Sequence, residues 1–362
     1  MELKQVLREL MLLEGISGYE KNVAHAFQSF LTPYCESIDI DPAGNVIGKI
    51  SGAEKTRKLM IFAHLDSLGF IVRKIESNGL LQIDRLGGIP EKVLPALQVS
   101  VIGIDGKTLP GVIAVKSHHA TDQDEKYKAA PVTSLFIDIG AAGKQQVLDA
   151  GVHVGCPVVY KPSYLELMNS IVCGTTVDNR GGCAALVRIA ELLADNPPKA
   201  EVYIVGTVWE EFNLRGAMLA ARRIRPDFAI CLDVTLAGDT PDTSGKFDNR
   251  LGGGPAVALY NFHGRGTLNG TIAHRGLYRL ALACAEEEKI PLQEFSALGM
   301  LTDNAYVQFE NEYVACLDMG FPVRYAHSPI ECCDICDLEN LSRLVSAMTR
   351  KIDGAFSKHR YE

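Results

Sequence analysis

Hydrophobic and polar positions follow two different rhythms along the chain. Near the start, Leu3, Val6, Leu7, Leu10 and Met11 recur at three- and four-residue spacing, which predicts an amphipathic helix. "SGYE" comes next, with Ser17 and Glu20 at capping-box spacing, so a second helix is expected to follow it. "IDIDPAGNVIGKI" predicts two strands around a Pro/Gly/Asn turn, and "KLMIFAHLD" a short buried strand. From about Gly69 to Lys161 the rhythm shortens. "FIVRKIESNGLLQIDRLGG", "QVSVIGIDGKTLPGVIAVK", "SLFIDIG" and "VGCPVVYKP" are strand-length runs, and "SNG" and "IDGKT" are hairpin signals. This texture predicts an all-β module of roughly ninety residues.

After Tyr164 the longer rhythm returns. Helix "NRGGCAALVRIAELLAD" is followed by strand "EVYIVGTVW", a helix around "LRGAMLAARRI" and strand "DFAICLD". Then come helix "TIAHRGLYRLALACAEEEK", strand "LQEFSA", a helix after "TDN", strand "YVACLDM" and a closing helix "DLENLSRLVSAMTRKIDGAF". The expected class is α/β, a layered α/β domain into which the β module is inserted.

Composition narrows the function classes. The chain has 362 residues, ample for more than one domain. Its net charge of -8, with no Lys/Arg-rich run, argues against a nucleic-acid partner. No apolar run approaches the ~20 residues of a membrane span. The acids within the N-terminal helix are unlike a signal peptide, so a cytoplasmic protein is expected. Most of the ten cysteines stand singly in apolar segments, which fits reduced thiols. "ECCDICD" carries Cys332, Cys333 and Cys336 but has no second Cys/His pair at zinc-knuckle spacing; a structural cluster is expected, with incidental metal binding or redox chemistry as the alternative.

Five potential metal ligands fall where predicted elements end. His64 closes "KLMIFAH", Asp178 precedes a helix, Glu211 follows "VYIVGTVWE", Asp233 closes "DFAICLD" and His327 follows "FPVRYA". Each alone has a plainer reading, as a hydrogen-bonded histidine, a helix cap or a turn acid. Together they lie where open α/β sheets bind ligands, beyond the carboxyl ends of the strands. Two neutral imidazoles and three carboxylates suit one or two divalent ions such as zinc, cobalt or manganese. Asp66, two residues after His64, shares its side of an extended chain and is a candidate partner for the imidazole's other N–H; a turn-forming Asp is the alternative. Glu210 and Glu211 are adjacent and should face different ways. One can bind metal while the other moves the proton of an attacking water.

"GISGYE", "AHLDSLG", "VDNRGG", "VWEEFNLRGA", "LDVTLAGDTP", "GGGP", "LTDNA" and "RYAHSP" occur in that order. In these motifs the chain resembles the tetrahedral, TET-like metallo-aminopeptidases over essentially its whole length. That family includes glutamyl and deblocking aminopeptidases, and some members carry an endoglucanase label. The resemblance implies a three-layer α/β/α catalytic domain of the zinc-peptidase type over residues 1–69 and 162–362. It implies an inserted small β-barrel or PDZ-like domain over residues 70–161, used for dimerisation and assembly. It further implies two divalent metal ions per subunit, peptide substrates and a homo-oligomer, with dimers building a dodecamer. By motif position His64, Asp178, Glu211, Asp233 and His327 would be the ligands. Asp178 would bridge, His64 and Asp233 would complete one site, and Glu211 and His327 the other. Glu210 would be the general base, and Asp66 would orient His64.

The sequence departs from that family's pattern at Ser67, Asn179, Cys156-Pro157 and "LGMLTDN". None of these removes a ligand or the base; they bear on substrate preference and assembly. His119 matches a histidine common in the inserted domain and is expected to be structural or assembly-related. The expected activity is removal of N-terminal residues from peptides. A deacylase of N-acylated amino acids would use the same ligand set. A glycosidase would need two carboxyl groups ~5–9.5 Å apart, would give the histidines no role, and would have only Trp209 for sugar stacking. A scaffold that had lost activity would lack a ligand or the base, and none is missing.

Overall fold

The computed structural model describes residues 2–264 and 269–362. The first helix, α1 (Leu3–Met11), buries the five apolar positions that predicted it. The second, α2, runs over Lys21–Leu31, and the expected capping box does not form. Instead the Ser17 hydroxyl donates to Asp66 Oδ2 at 2.5 Å, and Glu20 Oε1 accepts the Gly18 N–H at 2.7 Å. A buried carboxylate is a stronger partner for that hydroxyl than a helix-end amide. Strands β1 (Ser37–Ile40) and β2 (Val46–Ile50) pair antiparallel around a turn in which Asp41 Oδ1 accepts three backbone N–H groups. Strand β3 (Lys58–His64) is buried along nearly its whole length.

The short-strand region closes into a barrel. Its strands are β4 (Gly69–Ile75), β5 (Leu81–Leu86), β6 (Gln98–Ile102), β7 (Thr108–Ile113), β8 (Phe136–Asp138) and β9 (Pro157–Tyr160), joined in the order β4-β5-β8-β7-β6-β9. Strand β9 pairs back onto β4, so neither is left as an open edge. Phe70, Val72, Ile83, Val101, Ile137 and Val158 fill a core separate from the main one. The region is not purely β: helix α3 (Lys144–Asp149) precedes β9 and buries Val147.

The rest of the chain alternates. Strands β10 (Tyr164–Glu166) and β11 (Ile171–Gly174) lead into α4 (Val177–Asp195), β12 (Glu201–Thr207), α5 (Gly216–Ile224) and β13 (Phe228–Leu236). Then follow β14 (Ala256–His263), β15 (Asn269–Ile272), α6 (Arg275–Glu288), β16 (Gln293–Leu298), α7 (Asn304–Val307), β17 (Ala315–Val323), β18 (Glu331–Asp334) and α8 (Ile335–Thr349). The main sheet is mixed, in the order β1-β2-β12-β3-β13-β17-β14-β15, with β16 beside β14. Its centre, β12-β3-β13-β17, is parallel. Leu59, Ile61 and Ala63 of β3 join the cluster formed with α1, α2, α4, α6 and α8, whereas Met60 and Phe62 join residues of α5. This is the alternation expected of a strand covered on both faces.

Several expectations change. Asp233 does not close its strand; β13 continues to Leu236 in register with β17. The "TI" of "TIAHRG" ends β15 and is not helical. It pairs with Tyr260 and Asn261 of β14, a strand the periodicity did not show. Cross-strand pairing overrides the helical pattern there, and α6 begins at Arg275, with His274 Nδ1 accepting the Leu277 N–H. The "ECCD" stretch is β18, which pairs with β11 in a small β10-β11-β18 sheet. The closing helix stops at Thr349, before "RKIDGAF".

The parallel centre leaves little room. A methyl group at Gly320 of β17 would stand 1.9 Å from the Asp233 carbonyl oxygen on β13. Gly320→Ala is therefore expected to destabilise the fold by about 1–3 kcal/mol, the range for overpacking. Denaturant unfolding measures it; an unchanged midpoint would contradict this close approach.

Candidate metal centre

His64 ends β3, and in register beside it Thr207 ends β12. Beyond Thr207 the backbone turns sharply, with Trp209 at φ +61, so Glu210 and Glu211 lie in a turn and not in extended chain. What holds that turn is Asp66. Its Oδ1 accepts the Glu210 N–H at 3.1 Å, and its Oδ2 accepts the Glu211 N–H at 3.0 Å together with the Ser17 hydroxyl. His64 Nδ1 lies 3.1 Å from the Asp66 backbone oxygen and 3.6 Å from its carboxylate. Asp66 thus faces the imidazole chiefly through its carbonyl, and its carboxylate serves the glutamate pair.

Asp178 stands in the first turn of α4, where the backbone is not yet helical. Its Oδ1 is 3.1 Å from His64 Nε2, and its Oδ2 is 3.5 Å from His327 Nε2. His327 Nδ1 lies 2.7 Å from the carbonyl oxygen of Gly88, in the loop after barrel strand β5. A carbonyl only accepts, so both histidines carry their hydrogen on Nδ1 and turn Nε2 inward. Asp233 Oδ1 is 3.8 Å from His64 Nε2 and accepts from Asn179 Nδ2 at 3.2 Å and from the Val234 N–H at 2.8 Å.

The predicted residues therefore converge. Among the described residues, three groups place their potential ligand atoms within 4.8 Å of one another: His64, Asp178 and Asp233; Asp178, Glu211 and His327; and His64, Glu210 and Glu211. The first two share Asp178. Glu211 Oε1 is buried without a hydrogen-bond partner. An orphaned carboxylate oxygen beside two inward imidazole nitrogens fits a divalent cation.

Charge crowding and burial shift the titration of these groups. Burial raises Glu210 well above its usual range, as do Glu211, Asp233 and Asp303, while His64 opposes this. Burial, chiefly, pushes Glu211 up to about 7. Burial would lower His64, but its hydrogen bond to Asp178 and the charges of Glu210, Asp233 and Asp66 raise it well above the ordinary value. His327 is raised likewise, against burial, by Glu211 and Asp178. The centre opens into a cleft of about 390 Å³, whose walls include Gly87, Gly88, Leu214, Val234, Met300 and Leu301.

Other residues singled out in the sequence lie elsewhere or act differently. Ser67 donates to the Gly15 carbonyl, an oxygen that also accepts from the fully buried side chain of a residue outside that set, Arg180. Cys332 and Cys333 are buried in β18, Cys336 is exposed at the start of α8, and the groups above contain no cysteine. His119 is exposed on a short 3-10 turn against the ring of His118. Sequence reasoning missed Ser17 as an Asp66 partner, the Gly88 carbonyl, and Glu331, which accepts the backbone N–H groups of both Asp178 and His327. The spacing of Glu331 four residues after His327 was the available signal.

The profile of the M42 glutamyl aminopeptidase family matches residues 44–344. The chain belongs to the M42 family. It is a metallo-aminopeptidase, and the acid-and-histidine cluster is its candidate metal-binding site. SgcX of Escherichia coli (strain K12) is 37% identical over 348 residues, covering 95% of this M42 chain and 92% of SgcX. Among solved structures, aminopeptidase APDkam598 from the archaeon Desulfurococcus kamchatkensis superposes with a TM-score of 0.91 at 32% identity, over 98% of this chain and 96% of that one. The Pyrococcus horikoshii TET1 peptidase, which can assemble into a tetrahedron or a large octahedral shell, gives 0.84 at 27% identity, over 97% and 100%.

Two outcomes follow for this M42 centre. Asp66→Asn puts an amide NH₂ against a backbone N–H, and is expected to lower kcat or metal affinity about 10–100-fold, as losing a supporting carboxylate does. Steady-state kinetics with metal titration checks this. Metal uptake should also release protons, because Glu211 is pushed up to about 7 and His64 and His327 are raised well above the ordinary value. Raised pKa values mean that protons compete better as pH falls, so apparent affinity should drop from about pH 8 to about pH 6. Titration calorimetry in buffers of different ionisation enthalpy reads that release.

Proposed function

We propose that this chain removes N-terminal residues from peptides with two divalent ions per subunit. The observation that carries the reading is Asp178, one oxygen toward each imidazole while both Nδ1 positions are occupied by backbone carbonyls. His64, Asp178 and Asp233 would hold one ion, and Asp178, Glu211 and His327 the other. Zinc, cobalt and manganese all suit this set. When bound, such a pair supplies Lewis-acid polarisation of a carbonyl and of a water.

The chain's own residues would do the rest. Glu210 belongs to neither Asp178-sharing group, and its Oε2 is 3.9 Å from His64 Nε2. A buried carboxylate with a raised pKa can take a proton from attacking water and return it to the leaving amine near neutral pH. Asp66, with Ser17, would hold the turn that aims Glu210 and Glu211 apart. The rival grouping of His64, Glu210 and Glu211 would make Glu210 a ligand, but it leaves Asp178 and His327 unused.

The same reading extends to organisation. Residues 1–69 and 162–362 would form a three-layer α/β/α catalytic domain, supported by helices against both faces of β3. Residues 70–161 would be a barrel or PDZ-like insert for assembly, supported by its separate core. Its loop exposes Val115 and Tyr127 beside an open cleft of about 1160 Å³. The assemblies of the P. horikoshii TET1 peptidase and the dodecamer of PhTET1 support a homo-oligomer, for which we propose dimers building a dodecamer. No described helix is long and apolar enough to cross a membrane, which is compatible with a cytoplasmic peptidase.

Glu210→Gln is expected to retain metal and lose turnover by about 10²–10⁴-fold. Glu211→Gln should instead weaken metal binding. Aminoacyl-nitroanilide hydrolysis beside metal analysis separates the two. Stripping metal should abolish hydrolysis and re-addition restore it. Faster turnover of N-acetylated than of free-amine substrates would transfer the assignment to a deacylase.

A further inference from the structure

Glu331 opens β18, four residues after His327, and is 2% exposed. Its Oε2 accepts the Asp178 backbone N–H at 2.9 Å, and its Oε1 accepts the His327 backbone N–H at 2.6 Å. The two segments it joins are remote in the chain, since Asp178 lies 153 positions before Glu331. They meet because β18 pairs with β11, with Glu331 opposite Gly174, just ahead of the turn into α4. Both segments are conformationally costly. His327 has φ +64 and Thr176 has φ +61, the left-handed region that non-glycine residues avoid. A hydrogen bond from the backbone N–H on each side to Glu331 offsets that cost.

A purely structural residue at this place would have little reason to be a carboxylate. Burying one is expensive unless its oxygens are satisfied, and here both are spent on backbone amides. The amides chosen belong to two members of one candidate ligand group, Asp178 and His327. Asp66 makes the same kind of clamp on the amides of Glu210 and Glu211. Each carboxylate stands behind a ligand-bearing segment and joins backbone that the strands alone do not hold in register.

We propose that Glu331 is a positioning residue of the metal centre: by gripping the backbone of Asp178 and His327 it keeps both side chains within reach of one ion. The inference rests on the metal-centre reading above. It predicts that Glu331 acts on metal affinity through the ligands and touches no substrate.

The test is metal titration of the stripped protein by calorimetry, with amide hydrogen exchange at residues 178 and 327 and circular dichroism as a check of folding. Glu331→Gln presents an NH₂ to one of the two amides. It is expected to fold, to lose amide protection at one of the two positions, and to bind one of the two ions about 10–100-fold more weakly. Activity should recover at saturating metal, unlike that of Glu210→Gln. Glu331→Asp keeps both carboxyl oxygens on a shorter arm and should fall between Glu331→Gln and the parent chain. Parental affinity for both ions in folded Glu331→Gln overturns the proposal. If Glu331→Gln does not fold, Glu331→Asp decides in the same assay, and failure of both to fold also overturns it by making the role one of stability. A parent chain that takes up no ion overturns the metal-centre reading itself.

Discussion

Crowding of buried negative charge is the constraint around which this molecule is arranged. Asp66, Asp178, Asp233, Asp303 and Glu331 are buried, and Glu210 and Glu211 lie among them. Such a set repels itself; burial and neighbouring acids push Asp303 to about 7 and Asp233 well above its usual range. The fold answers with directed donors. Asp66 receives two amides and a hydroxyl, Asp233 an amide and the Asn179 side chain, and Glu331 two amides. Asn179 supplies a donor to Asp233 instead of another charge. Fully buried Arg180 adds a positive charge near Asp66 and Glu20. What those donors leave uncompensated, above all Glu211 Oε1, faces the place where cations would sit.

The barrel belongs to that arrangement as much as the sheet does. Gly88 sets which nitrogen of His327 is protonated, and so which one faces inward. Gly87, at φ +94, would carry a Cβ 2.2 Å from Leu68 and 3.3 Å from a Glu211 oxygen. Glycine is required there by conformation and by space. The loop after barrel strand β5 thus forms one wall of the cleft, which links any change of the barrel to the chemistry it borders.

Much of the fold was legible because periodicity reports which face of an element is buried. The apolar stripe of α1 and the runs of β3 and β12 carried their own signals. Periodicity failed where a partner decided the outcome. "TI" of β15 reads as helix until β14 is beside it, and Ser17 reads as a cap until Asp66 is near. Asp233 reads as a strand end because polarity alone marks it, yet β17 extends the pairing beyond it.

By itself the sequence determined the residue types that can meet a metal, their order along the chain and their positions near element ends. Those are properties of single segments, readable from hydrophobic spacing and side-chain chemistry. Only the tertiary structure decided that Asp178 lies between two imidazoles, that Asp66 serves the glutamate turn more than His64, and that Glu331 ties Asp178 to His327. The reason is that a hydrogen bond depends on distance and direction between groups. For residues more than a hundred positions apart, those are set by sheet order and register, which no local pattern encodes.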